Sequence, residues 1–283
     1  MRNPQDTLVV CAIAGALGLC GSMPAQTSEP QGPAPELLHS VLWAQTSVEH
    51  DAAYEQAYRQ ARTMLDRARK DKKWTAAIEQ RSGYERLPSA VVLDIDETIL
   101  DNSPEEAERA MSGSRPGIWE DWVRQERATA LPGALAFTRY AASNHVAVFY
   151  VTNRDAATKA ATLRTLERLG FPLQHAAESI YCRGEKPEWG TDKGSRREAI
   201  AQRYRILLLI GDDLGDFISG VRVSPEERRR LAATYASRWG ERWIMLPNPM
   251  YGSWETSLYG NDGGLNLAEQ SRRKRAQLRG MER

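Results

Sequence analysis

Cysteine and histidine are scarce in this chain of 283 residues, which has three of the first and four of the second. No His spacing suggests a zinc or copper site. Cys11 and Cys20 lie in an N-terminal leader. Cys11 is lost with that leader and Cys20 is lost or acylated, so Cys182 is left as a single free thiol. One cysteine makes no intrachain disulfide, and stability has to come from the core. Cys182 follows the short strand Ser179-Ile180-Tyr181 and reads as a buried structural thiol. An excess of one charge is also lacking: 38 basic and 37 acidic residues give a net charge of +1. Nothing in that balance attracts a nucleic acid polymer or an anionic membrane surface over distance. The local basic runs Arg228-Arg229-Arg230, directly after Glu226-Glu227, and Arg272-Arg273-Lys274-Arg275 read as solvated helix faces. No internal repeat is visible, and no apolar run reaches the ~20 residues of a transmembrane helix.

The run that comes nearest is Leu8 to Leu19, preceded by Arg2 and followed by Gly21, Ser22, Pro24 and a Gln/Ser/Pro/Gly-rich stretch to Pro35. It predicts a secretory signal peptide over residues 1–25, then a linker over 26–36. Export is the expectation. Leu17-Gly18-Leu19-Cys20 has the Leu and Cys of a lipoprotein cleavage box, but Leu19 stands where a small residue is usual. A lipid anchor at Cys20 and ordinary cleavage after Ser22 or Ala25 both stay open.

Leu37, Leu38, Val41, Leu42, Val48, Ala52, Ala57, Tyr58, Ala61, Met64, Leu65 and Ala68 follow helical spacing, predicting one long helix or two consecutive ones. Gly83 and Pro88 break the pattern ahead of the first strand, Ala90-Val91-Val92-Leu93. Residues from about Asn102 to Leu131 carry no strand signal and form an insertion holding Trp119 and Trp122. Beyond it strands near Val146, Ile180, Ile206 and Trp243 alternate with helices over about Pro132–Ser143, Ala156–Leu169 and Ser195–Gln202. That alternation predicts an α/β fold, a Rossmann-like parallel sheet with helices on both faces. The main domain spans 37–260, with a small, mainly helical cap insertion over about 102–131 and a polar, partly frayed tail with a weak helical signal over 261–283.

The chemistry-bearing signal is Leu93-Asp94-Ile95-Asp96-Glu97-Thr98, which places two carboxylates at the end of a buried strand. Asp94 and Asp96 are two apart and can share a face. Their repulsion calls for a metal or a shared proton. Strand ends are also where open α/β sheets put their ligands. Three partners follow in order. They are the strand Val148-Phe149-Tyr150-Val151 ending on Thr152, Lys193 ahead of a helix, and Ile206-Leu207-Leu208-Leu209-Ile210-Gly211 running into Asp212, Asp213 and Asp216. This inventory suits phosphoryl transfer through a carboxylate nucleophile with a hard cation.

With these four motifs the chain resembles the haloacid-dehalogenase-like phosphohydrolases. The longer strings Leu93 to Pro104, Phe149-Tyr150-Val151-Thr152-Asn153-Arg154 and Leu246-Pro247-Asn248-Pro249-Met250-Tyr251-Gly252 are similar to those of the class C acid phosphatases, a branch of bacterial lipoprotein 5′-nucleotidases. The resemblance runs from about Leu38 to Tyr259. It implies that Asp94 is a nucleophile forming an aspartyl phosphate and that Asp96 is the general acid and base. Mg²⁺ would be held by Asp94, the Asp96 carbonyl and Asp212, with Asp213 and Asp216 in support. Thr152 would bond a phosphoryl oxygen and Lys193 would neutralise charge, with Lys186 as a decoy. Gly215 stands where the family often has a further acid. Trp119 and Tyr251 match the family aromatics that enclose a nucleobase, Asn153 joins them as a substrate contact, and Trp122 reads as core. Arg154 reads as structural.

The function implied is an exported, periplasmic or outer-membrane-anchored, Mg²⁺-dependent acid phosphatase. Its substrates would be small phosphomonoesters, nucleoside 5′-monophosphates foremost. The alternatives are a phosphatase or phosphotransferase with a non-nucleotide substrate, and a catalytically idle surface lipoprotein that binds a ligand. A homodimer is common in the resembled family.

Overall fold

The apolar, β-branched runs become parallel strands and the helical stretches between them become crossovers in the computed structural model, which describes residues 34–280. The segment read as a signal peptide, most of the expected linker and Cys20 lie outside the described residues. Two helices come first, α1 (Leu38–Thr46) and α2 (Val48–Lys70). The break falls at Ser47, whose backbone is extended and whose hydroxyl accepts the His50 N–H at 3.1 Å, capping α2. Then follow β1 (Ser89–Leu93), β2 (Leu100–Asp101), α3 (Ser103–Ser112), α4 (Ile118–Gln125) and β3 (Thr129–Ala130). The alternating part comprises α5 (Ala134–Ser143), β4 (Ala147–Asp155), α6 (Lys159–Leu169), β5 (Ile180–Arg183), α7 (Gly194–Ala201), β6 (Arg205–Gly211), α8 (Pro225–Thr234) and β7 (Trp243–Met245). Two further helices, α9 (Ser253–Leu258) and α10 (Leu267–Ala276), close the described chain.

The main sheet has the order β5-β4-β1-β6-β7, with every pairing parallel. Alternate residues of β1 serve opposite faces, as a period of two requires. Val91 and Leu93 pack with Tyr54, Tyr58 and Leu65 of α2 and Phe137 of α5. Ala90 and Val92 pack with Ile200 of α7, Phe217 and Trp243. Every residue of β6 is buried, which is the expected state of an inner parallel strand covered on both sides.

The chain runs from β1 through β4 to β5 on one side of the sheet, then crosses to β6 and β7 on the other. This reversal at β1 opens a crevice beyond the C-terminal strand ends. Asp94, Thr152 and Asp212 all sit at that edge, after or within β1, β4 and β6.

Two expectations change. The insertion does contain strand: β2 and β3 pair antiparallel at its base, Leu100 opposite Ala130 and Asp101 opposite Thr129. A ladder two residues long has no alternation to read, so periodicity misses it. The polar tail holds a capped helix, α10, with Asn266 accepting the Glu269 N–H at 2.9 Å. Lys274 on α10 pairs with Glu36 and Glu255, tying it to both ends of the domain. The charge runs are solvated only in part: Arg230 pairs with Glu226 and Glu227, and Arg272 and Arg273 with Glu269, but half-buried Arg228 donates to the Val221 carbonyl at 3.0 Å and to Ser253 Oγ.

Candidate active site

Asp94 follows β1 directly, and its N–H donates to the Ile210 carbonyl of β6 at 2.9 Å. The loop beyond it is clamped from α2. Tyr54 and Tyr58, one helical turn apart, donate their hydroxyls to the carbonyls of Glu97 and Thr98. Glu97 takes a left-handed φ of 52°, which costs a non-glycine residue about 1–2 kcal/mol. Its buried carboxylate accepts the Asn102 N–H at 2.8 Å, which closes the turn.

Four charged side chains converge at this point. Lys193, at the N-cap of α7, pairs with Asp94 and donates to Asp216 Oδ1 at 2.6 Å. Asp94, Asp212 and Asp216 each offer a carboxylate oxygen, all within 4.8 Å of one another. Thr98 Oγ1 donates to Asp212 Oδ1 at 3.2 Å, and Asn248 Nδ2 to Asp212 Oδ2 at 2.8 Å. Burial is the largest influence on all three carboxyls and pushes them above their usual range. Asp94 reaches about 7, Lys193 opposing the rise and Asp216 adding to it. Burial alone would lower the Lys193 ammonium, but the carboxylates of Asp216 and Asp94 outweigh it and raise it. Three buried carboxyls with one ammonium among them lack positive charge. An oxygen-liganded divalent cation fits that deficit.

Asp216, expected behind the metal ligands, has an oxygen within 4.8 Å of those of Asp94 and Asp212, while Lys193 donates to its Oδ1 and the Asp213 N–H to its Oδ2 at 2.9 Å. Gly211 makes this approach feasible: a Cβ there would fall 2.2 Å from Asp216 Oδ2 and 2.5 Å from its Cβ. Asp213 is engaged by neighbouring donors. Its carboxylate caps the following turn through Gly215 N–H at 2.8 Å and takes the Ser253 N–H at 2.6 Å. At Gly215 a side chain would meet Asp213 Oδ1 at 3.2 Å and Val221 at 3.4 Å, so the site is tightly filled without a further acid.

The Asp96 side chain is held apart from the carboxylate cluster. Arg154 contacts its Oδ1 through Nε at 2.9 Å and Nη2 at 2.8 Å, and Asn102 Nδ2 donates to the same oxygen at 3.0 Å. Thr152 Oγ1 lies 3.2 Å from the other oxygen, Oδ2. Arg154, read as structural, braces the Asp96 carboxylate itself. It sits two residues past Thr152 on β4, and that spacing was the available signal. The arginines of Lys193-Gly194-Ser195-Arg196-Arg197 are also buried braces. Arg196 holds Asn153 Oδ1 at 2.7 Å, and Arg197 holds the carbonyls of Gly215 and Asp216 at 2.9 and 3.1 Å.

A cavity of about 850 Å³ opens over these groups, lined by Asp94, Asp96, Asn153, Lys193, Asp212 and Asp213 together with Trp119 and Tyr251. Trp119 packs against the core edge with the Arg154 guanidinium 5.6 Å from its ring centre. Trp122 is buried and donates its indole N–H to Asn102 Oδ1 at 2.9 Å, a core position. Lys186 lies over the Trp189 ring at 4.6 Å, away from the carboxylates. Cys182 is buried, which pushes its thiol up to about 12, so it is no nucleophile.

The family model of the HAD superfamily, subfamily IIIB (acid phosphatase), matches residues 22–254. The fold is similar to that of the class C acid phosphatase from Bacillus anthracis, with 34% sequence identity and a TM-score of 0.76, covering 88% of this chain and 98% of that one. The same enzyme with tungstate bound gives 32% identity and a TM-score of 0.77, again over 88% and 98% of the two chains. The stem 28 kDa glycoprotein of Glycine max is 26% identical over 168 residues, which is 56% of this chain and 58% of that relative's length.

Proposed function

The chain belongs to the acid phosphatases of HAD subfamily IIIB and is a phosphoric monoester hydrolase, and from that premise we propose that it is an exported, Mg²⁺-dependent enzyme acting on nucleoside 5′-monophosphates. The observation that carries the chemistry is the convergence of Asp94, Asp212, Asp216 and Lys193 at one strand edge beside a separately braced Asp96. A divalent cation bound by Asp94, the Asp96 carbonyl and Asp212, with Asp216 next to them, would neutralise phosphate charge and fix the ester in place.

An Asp94 carboxylate oxygen attacks phosphorus, and the bond from phosphorus to the alcohol oxygen breaks. Lys193 holds Asp94 in place and offsets the negative charge gathered there. Asp96 gives its proton to the departing alkoxide, then takes one from the water that attacks the aspartyl phosphate. Arg154 and Asn102 fill Oδ1 of Asp96 with obligate donors. Oδ2 meets only the Thr152 hydroxyl, which donates to the carboxylate and can turn to accept from the acid, so Oδ2 is the oxygen able to carry that proton. Release of phosphate restores the Asp94 carboxylate. The tungstate bound to the Bacillus anthracis enzyme is a tetrahedral oxyanion of phosphate's shape, which supports a phosphate-sized pocket in this fold.

The nucleotide preference rests on Trp119 and Tyr251, two aromatic residues in the cavity wall that can stack on any base. Export rests on the leader sequence, with Cys20 as the candidate anchor. Phosphate release from 5′-nucleotides, 3′-nucleotides and sugar phosphates, with Mg²⁺ or EDTA, tests the reading in wild type, Asp94→Asn and Trp119→Ala. Turnover that needs the metal and vanishes in Asp94→Asn supports the chemistry. A 5′-nucleotide preference lost in Trp119→Ala supports the aromatic slot. Equal rates on sugar phosphates and nucleotides in the wild type would remove the nucleotide assignment.

A further inference from the structure

Lys193 pairs with Asp94 and Asp216, which leaves Asp212 as the carboxylate of the cluster with no cationic partner among the described residues. Neutral donors hold it instead, one on each oxygen: Thr98 Oγ1 on Oδ1 at 3.2 Å and Asn248 Nδ2 on Oδ2 at 2.8 Å. Both jaws of this clamp are themselves fixed. Asn248 stands between Pro247 and Pro249, whose rings lock their own φ. Its Oδ1 accepts the Met250 N–H at 2.9 Å and the Tyr251 N–H at 3.4 Å, so the amide nitrogen is the end that faces Asp212. Thr98 is fully buried, and its carbonyl accepts the Tyr58 hydroxyl at 2.7 Å. One turn earlier on α2, the Tyr54 hydroxyl lies 3.1 Å from the Pro247 carbonyl. A single helix steadies both jaws.

A carboxylate gripped through both oxygens keeps one plane, with one lone pair of each oxygen already spent. Swinging it to suit a larger ion strains or breaks one of the two hydrogen bonds. We propose that Asn248 and Thr98 are positioning residues that set the metal selectivity of the site: by fixing Asp212 they favour Mg²⁺ and reject Ca²⁺. Mg²⁺ demands near-ideal octahedral bonds of about 2.1 Å, which a rigid ligand suits. Ca²⁺ gathers about six to eight oxygens at about 2.3–2.6 Å from more flexible ligands, bidentate carboxylates among them. The proposal rests on the metal-dependent phosphatase reading and names the residues that choose the ion.

Calorimetric titration of the metal-stripped protein with Mg²⁺ and with Ca²⁺, in one buffer, tests this in wild type, Asn248→Ala and Thr98→Val. The quantity read is the Kd for Ca²⁺ divided by the Kd for Mg²⁺. Proton release and any general weakening of the site cancel in that ratio. Losing a hydrogen bond that orients a metal ligand costs about 10- to 100-fold in affinity. Mg²⁺ should carry most of that loss, so the ratio should exceed one in the wild type and fall about tenfold in each variant. A merely structural role would weaken both ions alike and leave the ratio where it was. Thr98→Val keeps the side chain's shape and leaves the Tyr251 turn untouched, so it decides the question if Asn248→Ala does not fold. A fall of less than about threefold in either folded variant would overturn the proposal, as would a wild type that binds Ca²⁺ as tightly as Mg²⁺. Binding of neither ion to the wild type, by heat or by a rise in Tm, would instead overturn the metal reading itself.

Discussion

Replacing Arg154 tests whether Asp96 works only while its carboxylate is held. Arg154 is 2% exposed and spends its guanidinium on Asp96 Oδ1, Asn102 Oδ1 and Thr162 Oγ1. In Arg154→Met the paired charge is lost and three acceptors are left short of a donor. Breaking a buried ion pair costs about 3–5 kcal/mol. The Asp96 side chain is 15% exposed to the cavity, so water can replace part of the contact, which argues for the lower end of that range. A domain stable by about 5–15 kcal/mol stays folded after such a loss. The activity effect should exceed the stability effect, because a catalytic group misplaced by about 1 Å costs on the order of 10²-fold. Alkyl phosphates need a proton on the leaving oxygen, whereas nitrophenyl phosphate does not. The expected pattern is therefore a drop of about 10²-fold in kcat on alkyl esters and a much smaller one on nitrophenyl phosphate. Arg154→Lys keeps the charge but loses the planar fork, and should fall between. Urea unfolding and kcat on both esters are the assays. Equal losses on the two esters would refute the positioning role and leave Arg154 as a packing residue.

Two further outcomes follow from the same geometry. The buried carboxyls of Asp94, Asp212 and Asp216 have folded-state pKa values raised above their unfolded value of 3.8, so the folded protein binds protons more tightly. Stability in EDTA should then fall as pH rises from about 4 to 7, and Mg²⁺ should raise Tm more at pH 7 than at pH 5; a Tm in EDTA that climbs over this window would contradict the electrostatics. Gly211→Ala puts a methyl group 2.2 Å from Asp216 Oδ2 and should cost about 1–3 kcal/mol in urea unfolding along with most of the turnover. Retained turnover would show that Asp216 can move without consequence.

Much of the fold was legible because its parallel strands are short, apolar and separated by helical periodicities. Val91 to Leu93 and Ile206 to Ile210 could hardly be read otherwise, and their flanking residues marked the strand ends. The two-residue pairing of β2 with β3 was not legible, since nothing in Leu100-Asp101 or Thr129-Ala130 carries a period. The helix α10 gave only a weak helical signal, and what holds it was not legible for a different reason. Its tether is the ion pairs of Lys274 with Glu36 and Glu255, contacts made with residues far away in the chain.

The order Asp94-Asp96, Thr152, Lys193, Asp212 was written in the sequence, because chemistry demands those residue types at strand ends and local context marks where strands end. The tertiary structure decided what each side chain faces. It brought Asp216 into the carboxylate cluster through the gap left by Gly211, and it turned Arg154 onto Asp96. It also set Glu105 beside Glu106 and Arg109 in the cavity wall. Periodicity fixes the face of an element on which a residue lies. Which charge meets which across 50 or more residues depends on how the elements pack, and a one-dimensional pattern does not contain that.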